Sequence, residues 1–172
     1  MVALLLAGSL TVATASDRIF TNPKPDLKKV FPNAVAFGPL EGSPLHYVAY
    51  GADPKTSPNA PVLGYAFWTT DMVPQEHGYH GAIHILVGLN LNGTINQVFV
   101  DYDSEPYGYF SVEPAEFAAQ FKGKSIFDKF VPGTDVDFVS RATLSIGSAT
   151  RAIRDGSRIV ARALLDPNAV KR

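Results

Sequence analysis

No cysteine occurs among the 172 residues of this chain. Disulfides, thiolate nucleophiles and cysteine-held zinc or iron–sulfur centres are therefore excluded. The sequence also lacks an excess of charge, because 15 Lys and Arg face 16 Asp and Glu and the formal net charge is −1. A chain with a net charge this close to zero offers no overall electrostatic attraction for nucleic acid or an anionic membrane surface. Any redox chemistry must come from a borrowed cofactor.

Nucleotide and hydrolase signatures are missing as well. The sequence has no P-loop, no Gly-x-Ser-x-Gly and no dinucleotide-binding Gly-x-Gly-x-x-Gly. Hydrolysing functions therefore have little support. We predict no catalytic acid or base from the sequence.

The first 15 residues form an apolar, signal-like segment. It ends in Ala13-Thr14-Ala15, which is typical of a secretory cleavage site, and it is too short for an ordinary transmembrane helix. No Lys or Arg precedes the apolar run, so a short buried helix or strand is the alternative. We expect an exported protein, periplasmic or extracytoplasmic, either free or associated with a membrane, with residues 16–172 forming a single domain.

Apolar alternation predicts three strands in the middle of the chain, at residues 62–70, 82–91 and 94–102. Asn92-Gly93 favours a type I′ turn, which would join the last two strands into an antiparallel hairpin. A short strand at 46–50 and one or two helical turns at 25–31 are predicted among the prolines of residues 17–60.

Helical signals come later in the chain. Pro114 favours a short helix over 114–121, and residues 125–130 suggest one more helical turn. Residues 148–165 predict a longer amphipathic helix, with four arginines opposite its apolar face. The order of elements indicates an α+β fold, an antiparallel sheet with a central hairpin, packed by short helices and a longer C-terminal helix.

One segment near the C-terminus crowds acidic, hydroxyl and small residues around a threonine. Its members are Asp137, Ser140, Ala142, Thr143 and Ser145. A phosphate needs backbone N–H donors and positive potential, and the start of a helix supplies both. The alternative is a surface helix whose Ser and Thr side chains only satisfy its first turn.

This segment resembles the flavin attachment motif of the FMN-binding domain family, Asp-x-x-Ser-Gly-Ala-Thr-x-Ser/Thr, whose threonine carries FMN through a phosphoester bond. The resemblance implies covalent FMN on Thr143. Arg141 stands where the family usually has glycine. A guanidinium can donate two hydrogen bonds to one phosphate, so Arg141 could pair with that of FMN.

The resemblance extends over about residues 26–165 and is greatest to the extracytoplasmic flavin domain of nitrous oxide respiration regulators. Gly78-Tyr79-His80-Gly81 is similar to that family's glycine-bearing loop, and Glu105-Pro106 to its acidic segment. The resemblance implies that both glycines admit the flat flavin ring and that Tyr79, His80, Leu86 and Leu144 pack against it. Without the resemblance, the simpler interpretation is that Gly78 and Gly81 only flank a turn and that Leu144 is a core residue.

Two other groups of polar residues suggest chemistry. His77, His80 and His84 could indicate a metal site, but extended spacing puts the last two about 13 Å apart. We therefore favour solvated or hydrogen-bonded histidines. Alternating Asp101, Asp103 and Glu105 predict a solvated strand face, although Glu105 could shape the edge of the flavin site.

Taken together, these patterns predict an extracytoplasmic electron-transfer flavoprotein with FMN esterified to Thr143. The resemblance implies redox partner proteins, some of them membrane-bound, and a flavin transferase for maturation. The alternative is a cofactor-free binding or sensory domain of the same fold, with Arg141 marking lost modification. An enzyme with its own substrate, such as a flavin reductase, has less support.

Overall fold

The structure is a computed structural model that describes residues 25–170. The signal-like segment 1–15 lies outside the described residues, so the predicted export stays a prediction. Within residues 25–170 no helix combines the length and apolar character needed to cross a membrane.

Five antiparallel strands form one sheet whose spatial order is also the chain order. The strands are β1 (Ala36–Phe37), β2 (Tyr47–Tyr50), β3 (Val62–Trp68), β4 (His84–Asn90) and β5 (Ile95–Tyr102). Each strand pairs with the next one along the chain, so the sheet is a meander. The α+β architecture and the central hairpin between β4 and β5 are confirmed. The strand predicted at 62–70 ends at Trp68, where a helix begins.

Within residues 25–170, four α-helices accompany the sheet: α1 (Thr69–Met72), α2 (Gly108–Ser111), α3 (Ala115–Ala119) and α4 (Thr143–Leu164). The main core lies between the helices and one sheet face, to which Ile85, Val87 and Leu89 of β4 contribute. Ile153 of α4 packs into the same core. The alternation that predicted this strand therefore marks the face that the helices cover.

The opposite face of the sheet is covered too. A short 3₁₀ helix (Leu27–Lys29) leads into Val30 and Phe31, which pack with Trp68 and Leu86 in a second, smaller core. Apart from Asn90, every side chain of β4 is consequently buried. Sequence alternation alone suggested helices on one side and did not reveal this second layer.

The hairpin turn differs from the predicted type I′. Only Gly93 has a positive φ, of 79°, and its N–H donates to the Asn90 carbonyl at 3.0 Å. The loop therefore has three residues, a type I-like turn closed by a left-handed glycine. Asn92 Oδ1 accepts hydrogen bonds from the N–H of Thr94 at 3.1 Å and from its hydroxyl at 2.7 Å, which stabilises this longer loop.

The long helix begins five residues before its predicted start at 148. Ser145 and Gly147 precede the predicted start, yet both lie inside α4 and are buried. Ile146 and Ala149 pack into the main core, and this burial outweighs the weak helix propensity of their neighbours. The prediction for residues 125–130 is also wrong, since they form a hydrogen-bonded turn without a helix.

Close packing of β3 on β4 yields a stability test at Gly64. A Cβ atom there would lie 2.2 Å from the Leu89 carbonyl oxygen and 2.8 Å from the Phe31 ring. We expect Gly64→Ala to lower the free energy of unfolding by about 2–3 kcal/mol, because backbone would have to move. Gly38→Ala is the control, since its Cβ would meet its nearest neighbours at an ordinary 3.7 Å. Equal denaturation midpoints for the two variants would contradict this account of β3–β4 packing.

Candidate functional site

A surface cleft of about 570 Å³ opens where α4 begins. Three separate segments line it: the loop before β4, the segment after β5 and the first turn of α4. The lining residues are Tyr79, His80, Pro106, Tyr107, Arg141, Thr143, Leu144 and Ser145. This volume lies within the usual range of ligand pockets.

Thr143 occupies the position that phosphate binding requires. It is the first residue of α4, its side chain is exposed, and it lines the cleft. The first N–H groups of a helix have no intrahelical acceptor, and no described side chain caps α4. The cleft therefore combines a reachable hydroxyl with the positive end of a helix dipole.

Glu105 lies buried at the cleft, with 7% of its surface exposed. Its carboxylate accepts hydrogen bonds from the backbone N–H groups of Tyr79 at 2.8 Å and His80 at 2.9 Å, and from the Ser145 hydroxyl. The prediction of a solvated strand face is wrong for this residue, because the chain turns inward after β5. Glu105 thus joins the glycine-bearing loop to α4.

The carboxyl group of Glu105 is held in its ionised form. Desolvation by burial favours the neutral acid, but hydrogen bonds from Ser145 and from the N–H groups of His80, Tyr79 and Gly81 outweigh it and lower the pKa. A carboxylate stabilised in this way accepts hydrogen bonds and is a poor proton donor near neutral pH.

The two predicted glycines lie beside this carboxylate and do not line the cleft. A Cβ on Gly78 would approach the Glu105 carboxylate to 2.6 Å, so glycine is needed for the loop to reach it. Gly78 N–H also donates to the Gly81 carbonyl at 2.7 Å, which closes the loop. Gly81 has more room, with Ser104 Oγ 3.6 Å from a built Cβ. The group that would lie closest to a Cβ at Gly78 is therefore the Glu105 carboxylate.

Arg141 adopts the conformation that explains the family's usual glycine. Its φ is 72°, in the left-handed region that glycine enters readily and other residues enter at a cost. The positive φ turns the chain just before Ala142 and Thr143, at the start of α4. Arg141 keeps this turn and places an exposed side chain at the cleft.

Exposed apolar surface flanks the cleft. Tyr79 is 64% exposed, Leu144 60% and Tyr107 43%. Large apolar side chains left in solvent beside a cleft mark a surface suited to a flat aromatic ligand. Pro106 and Tyr107 were not predicted as site residues, and the only sequence signal for them was their position next to Glu105.

Three further predicted residues, like Glu105 and the two glycines, do not line the cleft. Ala142 is buried in the main core, Asp137 is exposed with its N–H donating to Gln120 Oε1 at 2.5 Å, and Ser140 is exposed. They belong to the segment that leads into α4 and set its path. Of the twelve predicted residues, the structure therefore gathers six in the cleft and places Glu105 and its glycine loop beside it.

The three histidines are dispersed. His77 is exposed, and its Nε2 lies 3.1 Å from the Pro74 carbonyl oxygen. His84 is buried, stacks on Trp68 at 4.1 Å between ring centroids, and has Asp101 Oδ2 3.6 Å from its Nδ1. Burial lowers the pKa of His84 despite this neighbouring carboxylate. In the part of the chain that the structure describes, no group of three His, Cys, Asp or Glu residues is placed to hold a metal ion.

Comparison with known families assigns the region that contains the cleft. Residues 78–157 match the profile of the FMN-binding domain family. All eight lining residues and Glu105 fall inside this span. The matched part of the chain is similar to that family, and the match supports a flavin-binding protein with FMN as its ligand. A search of curated proteins gave no match. The closer likeness to nitrous oxide respiration regulators stays a prediction.

The residues present fit this ligand. The cleft offers a helix N-terminus and Arg141 for a phosphate, and exposed Tyr79, Tyr107 and Leu144 for an aromatic ring system. FMN carries both groups.

The strained turn before α4 gives a second stability test. We expect Arg141→Gly to raise the free energy of unfolding by about 1 kcal/mol, because glycine adopts a positive φ without the penalty paid by arginine. Arg141→Ala is the matched control, since it removes the same side chain and keeps the strain. Chemical denaturation measures both, and a glycine variant no more stable than the alanine variant would refute the strain.

Acid titration tests the ionised state of Glu105. A carboxyl group with a lowered pKa contributes stability that is present above its unfolded value and lost as pH falls through the folded one. Below the ordinary range of glutamate, we expect wild type to lose its stability advantage over Glu105→Gln. Unfolding free energies of the two proteins from pH 7 to pH 3 provide the measurement. A difference independent of pH would contradict the lowered pKa.

Proposed function

We propose that this protein is an extracytoplasmic electron-transfer flavoprotein that carries FMN covalently through a phosphoester to Thr143. The observation that carries the proposal is the position of Thr143, exposed at the first residue of α4 and inside the cleft. A buried hydroxyl would have been out of reach of any modifying enzyme. The match to the FMN-binding domain family supplies the ligand class.

Attachment requires one nucleophilic oxygen with open access. In a reaction catalysed by a flavin transferase, the Thr143 hydroxyl gives its proton to a base of that enzyme and its oxygen bonds to the flavin-side phosphorus of a flavin dinucleotide. The pyrophosphate P–O bond of the dinucleotide breaks, and the nucleoside monophosphate leaves. The partner enzyme must reach the segment before α4, and exposed Asp137, Ser140 and Arg141 are available to it. Buried Ala142 anchors that segment to the core and keeps it in place.

Several groups stabilise the phosphate once it is attached. The first N–H groups of α4 provide donors, and the helix dipole adds positive potential at the same end. The Arg141 guanidinium is exposed at the cleft and can neutralise the negative charge. These interactions are strongest within the first turn, where Thr143 lies.

The side chains around the cleft can hold a flat ring. Tyr79 and Tyr107 offer aromatic faces and Leu144 an aliphatic one, and covering these exposed surfaces releases water. FMN, when bound, supplies the reversible uptake of one or two electrons that no side chain here can provide.

Transfer of electrons between proteins suits this site better than turnover of a small substrate. Glu105 is engaged by donors within the protein and ionised, so it is unsuited to serve as a proton donor. The cleft is a surface feature, and rings near the surface exchange electrons readily with partner proteins. We propose redox partner proteins, some of them membrane-bound, as donor and acceptor.

The exported location rests on the signal-like segment at residues 1–15. In a compartment that does not replenish free FMN, a covalent bond would keep the site filled regardless of affinity. The proposed linkage and the proposed compartment therefore support each other.

A second candidate is a cofactor-free binding or sensory domain of the same fold. The observation in its favour is Arg141, a strained residue where the family usually has glycine. Absorbance near 450 nm separates the two functions, because bound flavin makes the purified protein yellow and an empty domain stays colourless.

Intact-protein mass spectrometry tests the linkage directly. After co-expression with a flavin transferase, we expect wild type to gain about 440 Da, the mass of FMN less the water lost in forming the ester. Thr143→Val should gain nothing, because it removes the hydroxyl while keeping the branched shape of the side chain.

Thr134→Val serves as the control, since Thr134 is also exposed but does not line the cleft. It should be modified to the same extent as wild type. A gain of mass in Thr143→Val, or none in wild type, would overturn the proposed attachment.

A further inference from the structure

We propose that Glu105 is the positioning residue of the flavin site: its carboxylate fixes the wall formed by Tyr79 and His80 against the first turn of α4 and places a fixed negative charge beside the ring. The charge effect rests on the proposed function, whereas the positioning effect does not require bound FMN.

The geometry around Glu105 forms a closed clamp. Tyr79 N–H donates to one carboxylate oxygen at 2.8 Å and His80 N–H to the other at 2.9 Å. The Ser145 hydroxyl donates to the oxygen that Tyr79 also contacts. Both oxygens are therefore engaged by the loop, and one of them is shared with α4, across sequence separations of 26 and 40 residues.

The wall of the cleft depends on this clamp because its own packing is slight. Tyr79 and His80 are exposed, and their ring centroids lie 5.0 Å apart. Farther back, Glu76 accepts from Arg151 of α4 at 3.0 Å, which holds the start of the loop. After Gly78, the backbone N–H groups of Tyr79 and His80 hold the loop by their hydrogen bonds to Glu105. His80 adds a contact of 3.2 Å between its Nδ1 and the Ser104 carbonyl oxygen.

The clamp also leaves a net charge. All the donors to Glu105 are neutral, and no salt bridge to Glu105 is found within residues 25–170. A buried carboxylate without a cation projects its field into the adjacent low-dielectric space. Negative charge there opposes electron uptake by a ring in the cleft and so lowers its midpoint potential.

Other charged groups face the same region. Asp103 Oδ1 accepts the Glu105 N–H at 2.9 Å, and burial, with the Glu105 charge adding to it, raises the pKa of Asp103. His80 and Arg141 line the cleft. Any pH dependence of the potential therefore combines these groups with Glu105, and only a comparison of variants isolates the Glu105 contribution.

The test uses Glu105→Gln, which keeps size and shape but removes the charge and one acceptor oxygen. Glu116→Gln is the matched control, because Glu116 is exposed on α3 and does not line the cleft. In protein purified without FMN, we expect amide hydrogen exchange at Tyr79 and His80 to be faster in Glu105→Gln by about ten-fold. In loaded protein, we expect the flavin midpoint potential to shift upward at pH 7.

A third variant separates geometry from charge. Glu105→Asp keeps the charge on a shorter side chain that cannot reach both the loop and Ser145. It should show the faster exchange of Glu105→Gln with a potential close to that of wild type. If Glu105→Gln does not fold, Ser145→Ala replaces it for the exchange measurement, because that change removes only one donor.

The outcomes distinguish this inference from the proposed function. Unchanged exchange at Tyr79 and His80 in the Glu105 variants would overturn the positioning role even if FMN is attached. A potential that moves equally in Glu105→Gln and Glu116→Gln would overturn the local charge effect. Failure of wild type to acquire FMN would refute the covalent linkage alone, since the exchange measurement needs no cofactor.

Discussion

A single buried carboxylate joins three distant parts of this chain. Glu105 accepts hydrogen bonds from the loop before β4 and from the first turn of α4, and both walls of the cleft depend on that contact. The close approach explains why residue 78 is glycine. Burial opposes the charge, and the surrounding donors stabilise it. Thr143 would still begin a helix without Glu105, but the loop opposite it would lose the hydrogen bonds that hold Tyr79 and His80.

The fold follows from the sequence wherever a pattern reports burial directly. Alternation in β4 predicted the strand and its core face, and the antiparallel hairpin followed from two strands separated by a short turn. The turn type did not follow, because Asn92 hydrogen bonds to Thr94 and stabilises a three-residue loop. The start of α4 was also hidden, since tertiary burial of Ile146 decides a boundary that local propensity assigns to loop.

The residues of the candidate site also divide into those that the sequence pattern predicted and those that it did not. The motif around Thr143 was visible because its residue types are unusual in combination, and the structure places Thr143 at the first residue of α4. Glu105 gave a misleading pattern, since alternation with Asp101 and Asp103 resembles a solvated strand face. Its burial arises from a change of chain direction after β5, which no periodicity records. Tyr107 had no signal beyond its neighbours, as exposed tyrosines occur on many surfaces.

The second core layer sets the limits of the folding unit. Residues 78–157 carry the family match and the whole cleft, yet three of the five strands and the cover over Leu86 come from residues before them. Cut back to the matched span, β4 would become a bare edge with apolar side chains on both faces, a surface that invites aggregation. The family match therefore covers the residues of the cleft, whereas folding of the domain also requires the strands and the second core that residues before 78 supply.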